Sequence, residues 1–540
     1  METDDDRNAM TQLLHPGAWA AVAPNRPAVI VDATDEVITY RQLDERSNRI
    51  AHALRGTGLR RGDHVAIVLE NHPRFLEVVW AALRSGLYFT PVNPMFTGDE
   101  VATLLDACEA SAVFASRETL ATAAHAARGS ERLRARFVVD AVPALPDEWQ
   151  HLDDATQDLP VTPIADESEG APMWYSSGTT GRPKGVHVPL PDGPIGVPDP
   201  EIQFLGRHYG FSPETVHLAL GPLCHGAPLA YAFITQRFGG TVVLTAAFDA
   251  EATLRAIERR RVTSLHAVPT MFVRMLKLAP ELREGYDHAS LRTVIHGAAP
   301  CPIDVKHAML EWWGPIVWEY YSGTEGYGST LISSADWLEH PGSVGRARRG
   351  IIHIVDEGGR EVGPGETGTV YFENPAARSV YFNDPEGSAA MRDPHGWATL
   401  GDVGHLDGDG YLYLTDRWSF KIVSGGVNIY PRQIEDVLLA HPQVWDVAVI
   451  PVPEPDLGEA VVAVVQAIPG SRTGAGLSDE LAAWCRARLA AYKVPKRIVF
   501  DAALPRQDNG KLYKHALRER YRDVMVTPSA PAGVPDPPRR

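Results

Sequence analysis

Cysteine is scarce in this chain. There are four in 540 residues, at positions 108, 224, 301 and 485, and no two of them share a Cys-x-x-Cys spacing. That excludes a disulfide framework and a structural zinc site built from such pairs. No apolar run approaches the ~18 residues that a spanning helix requires, so no transmembrane segment is expected. Basic residues are in deficit, with 51 Lys and Arg against 68 Asp and Glu and a net charge of −17. A nucleic-acid backbone needs a basic surface, so nucleic acid is not expected as a partner, whereas a small anion needs only a local positive site. The opening Met-Glu-Thr-Asp-Asp-Asp lacks the basic and apolar regions of a secretory signal, and a cytoplasmic, reducing location is the expectation.

What is present is an ordinary globular composition, 44% hydrophobic and 22% charged, in a chain too long for one core. Val65 to Leu69, Pro73 to Arg84 and Tyr88 to Val92 read as strand, helix and strand. The same alternation recurs at Thr241 to Leu244, Ala250 to Arg260 and Val262 to Ala267. Such alternation predicts a largely parallel, helix-covered sheet. Residues 189 to 200 hold five prolines and two glycines and read as a loop. From about 350 to 414 the texture changes to short strands with Gly/Asp turns. After Arg417 the pattern is a hairpin (420–428), a helix (431–439), two strands (444–450 and 460–467), a helix (478–490) and a strand (497–500), a separate domain of common size. The last fifteen residues, with five prolines and no apolar period, read as a disordered tail.

The most informative segment is Tyr175-Ser-Ser-Gly-Thr-Thr-Gly-Arg-Pro-Lys-Gly-Val186. Glycines let backbone amides approach a ligand closely, and successive amides with hydroxyls and an ammonium form an anion site. The segment is not a Walker A loop, because Lys184 follows a proline and no Gly-Lys-Ser/Thr opens a helix. Gly363-Pro-Gly-Glu-Thr-Gly368 fits the dinucleotide fingerprint by letter, but a strand-like run follows it, so it reads as a turn. Asp407-Gly-Asp409-Gly resembles the start of a calcium loop, but no Glu stands at loop position 12 and its flanks read as strands, so it reads as a hairpin connection. The basic runs Arg346 to Arg349 and Arg259 to Arg261 read as solvated faces.

The 175–186 segment resembles the phosphate loop of the ANL family of adenylate-forming enzymes, which includes acyl-CoA synthetases, peptide-synthetase adenylation domains and luciferases. Four further stretches resemble that family's motifs in order. They are Tyr321-Ser-Gly-Thr-Glu325, Gly396-Trp-Ala-Thr-Leu-Gly-Asp402 with Arg417 after it, Lys421 to Pro431 around Ser424-Gly-Gly426, and Leu504 to Lys511. The resemblance implies an α/β fold with a large multi-sheet N-terminal adenylate-forming domain (1–416), a hinge (417–420), a smaller mobile α+β C-terminal lid (421–525) and the tail (526–540). It implies catalytic roles for Lys511, Thr324 and Lys184. Nucleotide contacts would come from Ser176, Ser177, Gly178, Thr179, Thr180, Gly181, Lys184, Tyr321, Thr324, Asp402 and Arg417, and Glu325 would hold Mg²⁺. Ser424, Gly425 and Gly426 would lie along coenzyme A. His225, Gly297, Ala298, Ala299 and Tyr320 would line the acyl pocket, with a packed core histidine as the alternative for His225. Ser322, Leu400, Ser419 and Lys421 depart from the family pattern.

The expected cofactors are ATP, Mg²⁺ and coenzyme A, and the expected partner is a small-molecule carboxylic acid. A homodimer is left open. The expected reaction is carboxylate–CoA ligation through acyl-AMP. Medium- or long-chain fatty acids are the leading substrates and aryl acids come next. Two rivals stand beside it: the same adenylation with a carrier-protein thiol or an amine as acceptor, and a binding module without turnover.

Overall fold

The computed structural model describes residues 14–177, 183–197, 200–417, 421–424, 427–454, 457–506 and 512–525. The chain forms a mixed α/β assembly, with three sheets in a large N-terminal part and one in a smaller C-terminal part.

One N-terminal sheet has six strands, all parallel, in the spatial order 150–151, 135–138, 110–115, 64–68, 88–91, 171–172. Its strands are buried on both faces, and His64-Val-Ala-Ile-Val68 has no exposed residue. That is why they read as continuous apolar runs. The crossover helix Phe75–Arg84 is buried throughout, including two charged residues. Glu77 is held there by Arg46 (2.8 Å) and Arg74 (2.9 Å), and Arg84 by Asp44 (2.6 Å), so each buried charge has a partner.

The thirteen-stranded sheet is the frame of the site. Strands Pro27–Val31, Thr241–Leu244, Val216–Ala219, Ser264–Ala267, Thr293–His296 and Val317–Ser322 lie side by side and parallel. At Val317–Ser322 the direction changes, because Ser329–Ile332 runs back antiparallel and the strands beyond it continue that way to Ile351–Val355. The parallel expectation therefore holds for one half of this sheet. In the other half neighbouring strands pair antiparallel, and the short helices Ser334–Glu339 and Pro385–Ala390 sit in two of the connections. Gly363 to Gly368 is a turn ahead of the strand Gly368–Glu373, and Asp407 to Gly410 joins two antiparallel strands, both as read from the sequence.

A third, antiparallel sheet contains Trp174–Ser177, Pro183–His187 and Val380–Tyr381. The C-terminal sheet pairs Val444–Glu454 with Gly458–Ala467, adds Ile422–Ser424 and Val427–Ile429 on one side and takes Arg497–Phe500 in parallel. Helices Pro431–Leu439 and Ala475–Arg486 cover its core, and Lys514–Arg520, which the sequence reading missed, lies on the other face. The smaller part touches the larger one through Lys277. Its Nζ donates to the Val444 carbonyl at 2.6 Å and the Trp445 carbonyl at 3.3 Å, and burial lowers its pKa to about 8. Lys421 reaches Glu357 at 3.3 Å.

The basic runs lie at the surface, with Arg259, Arg261 and Arg346 exposed, and several of their side chains are also paired. Arg259 and Arg260 converge on Asp35, Arg260 also binds Asp32 at 2.7 Å, Arg348 pairs with Glu201, and Arg346 lies over the Tyr411 ring at 4.3 Å. Their acidic partners stand more than a hundred residues away in sequence, where a local reading cannot find them. Among the described residues no helix is long and apolar enough to cross a membrane.

Candidate active site

The site gathers at the carboxyl end of Val317–Ser322, where ligands bind in open α/β sheets. Strands Trp174–Ser177 and Pro183–His187 pair in register on either side of residues 178–182, with Lys184 opposite Ser176 and Gly185 opposite Tyr175. Gly185 is required by close approach, since a Cβ there would stand 2.6 Å from the Tyr175 ring. The Lys184 ammonium lies over the ring of Tyr381, 4.8 Å from its centroid.

Tyr321 donates its hydroxyl to Asp402 Oδ2 at 2.7 Å, and the Asp402 side chain is buried on the strand Ala398–Leu406. Asp402 stands opposite Arg417 in the strand register. Thr324 donates to Glu325 Oε2 at 3.2 Å, and Tyr381 donates to Glu325 Oε1 at 3.0 Å. The Ser379 hydroxyl binds the Glu325 main-chain carbonyl. Two of the four departures from the family pattern, Ser322 and Leu400, are accommodated locally. Ser322 donates to the Gly328 carbonyl at 3.1 Å, and Leu400 packs where a Cβ on Gly323 would be only 2.5 Å away.

His225 precedes the helix Gly226–Arg237. The position a Cβ would take on Gly226 is 3.8 Å from both Thr324 and Trp174, so three separate segments meet there. Gly297 follows the strand Thr293–His296, and a Cβ on it would stand 2.6 Å from the Tyr320 ring. Ala298 and Ala299 are exposed, and Ala298 takes a left-handed φ of 65°. Behind them, Tyr320 shares a 3.1 Å hydrogen bond with His266 Nε2, and Tyr231 stacks on His266 at 5.2 Å. Burial lowers the His266 pKa to about 3, so the ring is neutral, and burial pushes the Tyr320 phenol up. Trp318 projects from the same strand face as Tyr320 and meets Tyr209 edge-on at 6.0 Å.

The structure thus brings together Lys184, Thr324, Glu325, Tyr321, Asp402, His225, Gly297 and Tyr320. Gly178, Thr179, Thr180, Gly181, Gly425, Gly426, Ser419 and Lys511 lie outside the described residues, as do the side chains of Ser176, Ser177 and Arg417 and the tail 526–540. Ser424 pairs with Gly458 in the C-terminal sheet. Sequence reasoning missed Tyr381, Ser379, His266 and Tyr231. Only a short apolar run marks Tyr381, and nothing in the local string sets His266 or Tyr231 apart from core. Among the described residues no group of three or more His, Cys, Asp or Glu could hold a metal ion.

The two-part fold and the motifs clustered at this strand end define the class of adenylate-forming enzymes. Residues 17–382 match the AMP-binding enzyme family and residues 433–511 its C-terminal domain, so the chain belongs to that family, the ANL superfamily of adenylate-forming enzymes. A feruloyl-CoA synthase from Amycolatopsis sp. is 36% identical, covering 94% of this chain and 99% of that protein. The long-chain-fatty-acid–CoA ligase FadD13 of Mycobacterium tuberculosis is 31% identical, covering 93% and 97%. Among solved structures, the amide bond synthetase McbA from Marinactinospora thermotolerans superposes with a TM-score of 0.77 at 26% identity, covering 95% of this chain and 99% of that one.

Proposed function

We propose that this chain is an ATP-dependent, AMP-forming acid–thiol ligase that converts an aryl carboxylic acid to its coenzyme A thioester. The observation that carries the acid class is the ring system behind Gly297. Trp318 and Tyr320 are the partly exposed members and would meet a flat ring by edge-to-face contact, backed by the buried rings of His266, Tyr231 and Tyr209. An extended alkyl chain gains only burial there. The 36% identity with a feruloyl-CoA synthase supports this reading, and the FadD13 relative supports the fatty-acid alternative.

The residues have these proposed parts. Tyr321 stacks on adenine, and Asp402 with Arg417 takes the ribose hydroxyls. Lys184, Thr324 and the 176–181 segment hold the phosphates. Glu325 fits Mg²⁺, because that ion is commonly held by one or two carboxylates plus substrate phosphate oxygens rather than by an all-protein cage. Bound there, the ion would offset phosphate charge. A carboxylate oxygen attacks the α-phosphorus, the bond to the bridging oxygen breaks, and pyrophosphate leaves. Lys511 bridges carboxylate and α-phosphate in that step, and His225 flanks the incoming acid. In the second step the thiol of coenzyme A, laid along Ser424, Gly425 and Gly426, loses its proton and its sulfur attacks the acyl carbon, releasing AMP. The C-terminal part (421–525) moves about a hinge at 417–420 between the steps.

An amide synthetase is the second reading, favoured by the similarity to McbA. The deciding experiment is AMP release by the purified protein with ATP and Mg²⁺ across cinnamic, benzoic and fatty acids, with and without coenzyme A. AMP release that needs both an aryl acid and coenzyme A is the expected result. Acyl-AMP that coenzyme A does not consume would favour the amide reading, and release with fatty acids alone would favour the alkyl one.

A further inference from the structure

Tyr381 is no part of the motif set, yet it touches two of its members. Its strand, Val380–Tyr381, pairs antiparallel with Pro183–His187, and Tyr381 stands opposite Val186. Lys184, two residues before Val186, is on the same face and is the diagonal neighbour of Tyr381, within reach of a long side chain and a ring. The 4.8 Å ammonium-to-ring distance follows from this register and is within cation–π range. At its far end the same ring carries the hydroxyl that donates to Glu325 Oε1 at 3.0 Å. Glu325 Oε2 takes its bond from Thr324, and Ser379, two residues before Tyr381, binds the Glu325 main chain. The Tyr381 side chain is buried.

We propose that Tyr381 is a positioning residue for nucleotide activation, its ring holding Lys184 and its hydroxyl fixing the orientation of the Glu325 carboxylate for the divalent cation. Magnesium demands near-ideal octahedral geometry, so a carboxylate free to rotate is a poorer ligand than one held by a hydrogen-bond donor. With each Glu325 oxygen committed to one hydrogen bond, the remaining lone pairs point in fixed directions. The proposal rests on Glu325 as the metal carboxylate.

The test is calorimetric binding of AMP, of metal-free ATP in EDTA, and of MgATP, without acid or coenzyme A. Tyr381→Phe keeps the ring and removes the hydroxyl. It is expected to cut the affinity gained on adding Mg²⁺ by roughly 10- to 100-fold, the usual effect of losing a group that orients a metal ligand. Its binding of AMP and metal-free ATP should match wild type. Tyr381→Leu removes the ring as well and should also weaken metal-free ATP, whose phosphates Lys184 meets, while AMP binding holds. Tyr381→Phe with an unchanged Mg²⁺ gain, or with AMP and ATP binding lost in parallel, overturns the proposal. Glu325→Gln separates the two assumptions. Loss of its Mg²⁺ gain upholds Glu325 as the ligand, and Tyr381→Phe added to it should then cost nothing more. An undiminished gain in Glu325→Gln means the cation sits elsewhere and removes the basis of the proposal.

Discussion

Single side chains here do work that the string around them does not announce. Lys511 is proposed to act only while the acyl-phosphate bond forms. Lys511→Ala should therefore slow acyl-AMP formation on the order of 100-fold, the scale of losing one charge-stabilising donor. Conversion of preformed acyl-AMP to thioester should stay near the wild-type rate, and equal loss in both half-reactions would refute that division. Gly297 makes a different kind of demand. Its hydrogen side faces the Tyr320 ring at a distance where a Cβ would be 2.6 Å away. Gly297→Val must push the ring aside, and overpacking of this kind costs about 1–3 kcal/mol. We expect KM for the acid to rise roughly tenfold, with AMP affinity by calorimetry unchanged. Motif residues were legible because glycines, hydroxyls and charges in fixed order leave a local signature. Tyr381 was not, because its meaning comes from Lys184, brought to it by strand pairing, and from Glu325, 56 residues away and joined by a hydrogen bond.

At the level of elements, adjacent parallel strands carry histidines into the core. His217 on Val216–Ala219 and His266 on Ser264–Ala267 are fully buried, and burial lowers each pKa from 6.5 to about 3. A depressed histidine binds its proton in the unfolded chain first, so stability is complete above about pH 6.5 and falls as pH drops towards 3. At pH 5 the loss is roughly 2 kcal/mol for each ring, from ~1.4 kcal/mol per pKa unit. Denaturant midpoints measured at pH 7 and pH 5 should show that fall, and a double His217→Gln, His266→Gln variant should show a distinctly smaller one. The helices and strands themselves were largely legible, since a strand such as His64–Val68 and a helix such as Ala250–Arg260 have the periods their environments require. The antiparallel half of the large sheet was less so, because short strands and tight turns do not state which neighbour they will pair with. The ion pairs of the basic runs were hidden for a related reason: Asp32, Asp35 and Glu201 reach them only through the tertiary fold.

For the molecule as a whole, one contact between the two parts can be tested directly. Lys277 buries its ammonium against two carbonyls at the start of Val444–Glu454 and beside the Trp445 ring at 5.4 Å. A charged hydrogen bond of this sort contributes about 1–2 kcal/mol after allowing for its partial exposure. Lys277→Met should therefore raise the rate of native-state proteolysis in the 417–421 segment about fivefold, with the thermal midpoint nearly unchanged. A cleavage rate equal to wild type would show that this contact does not hold the parts together.

The strand Pro27–Val31 has a further consequence, one of timing. It lies between Thr241–Leu244 and Val37–Thr39, with Val29 opposite Val242. The six-stranded sheet, by contrast, is complete once residue 172 has been made. At about 5–20 residues per second, a ribosome takes roughly 10–40 s to deliver the partner that Pro27–Val31 waits for. Over the last third of that interval, once residue 172 is made, the nascent chain carries a complete parallel sheet and an apolar strand with one edge unpaired. A chain released before Thr241 keeps that edge for good, and it is the stretch on which a holdase or an aggregate would first take hold.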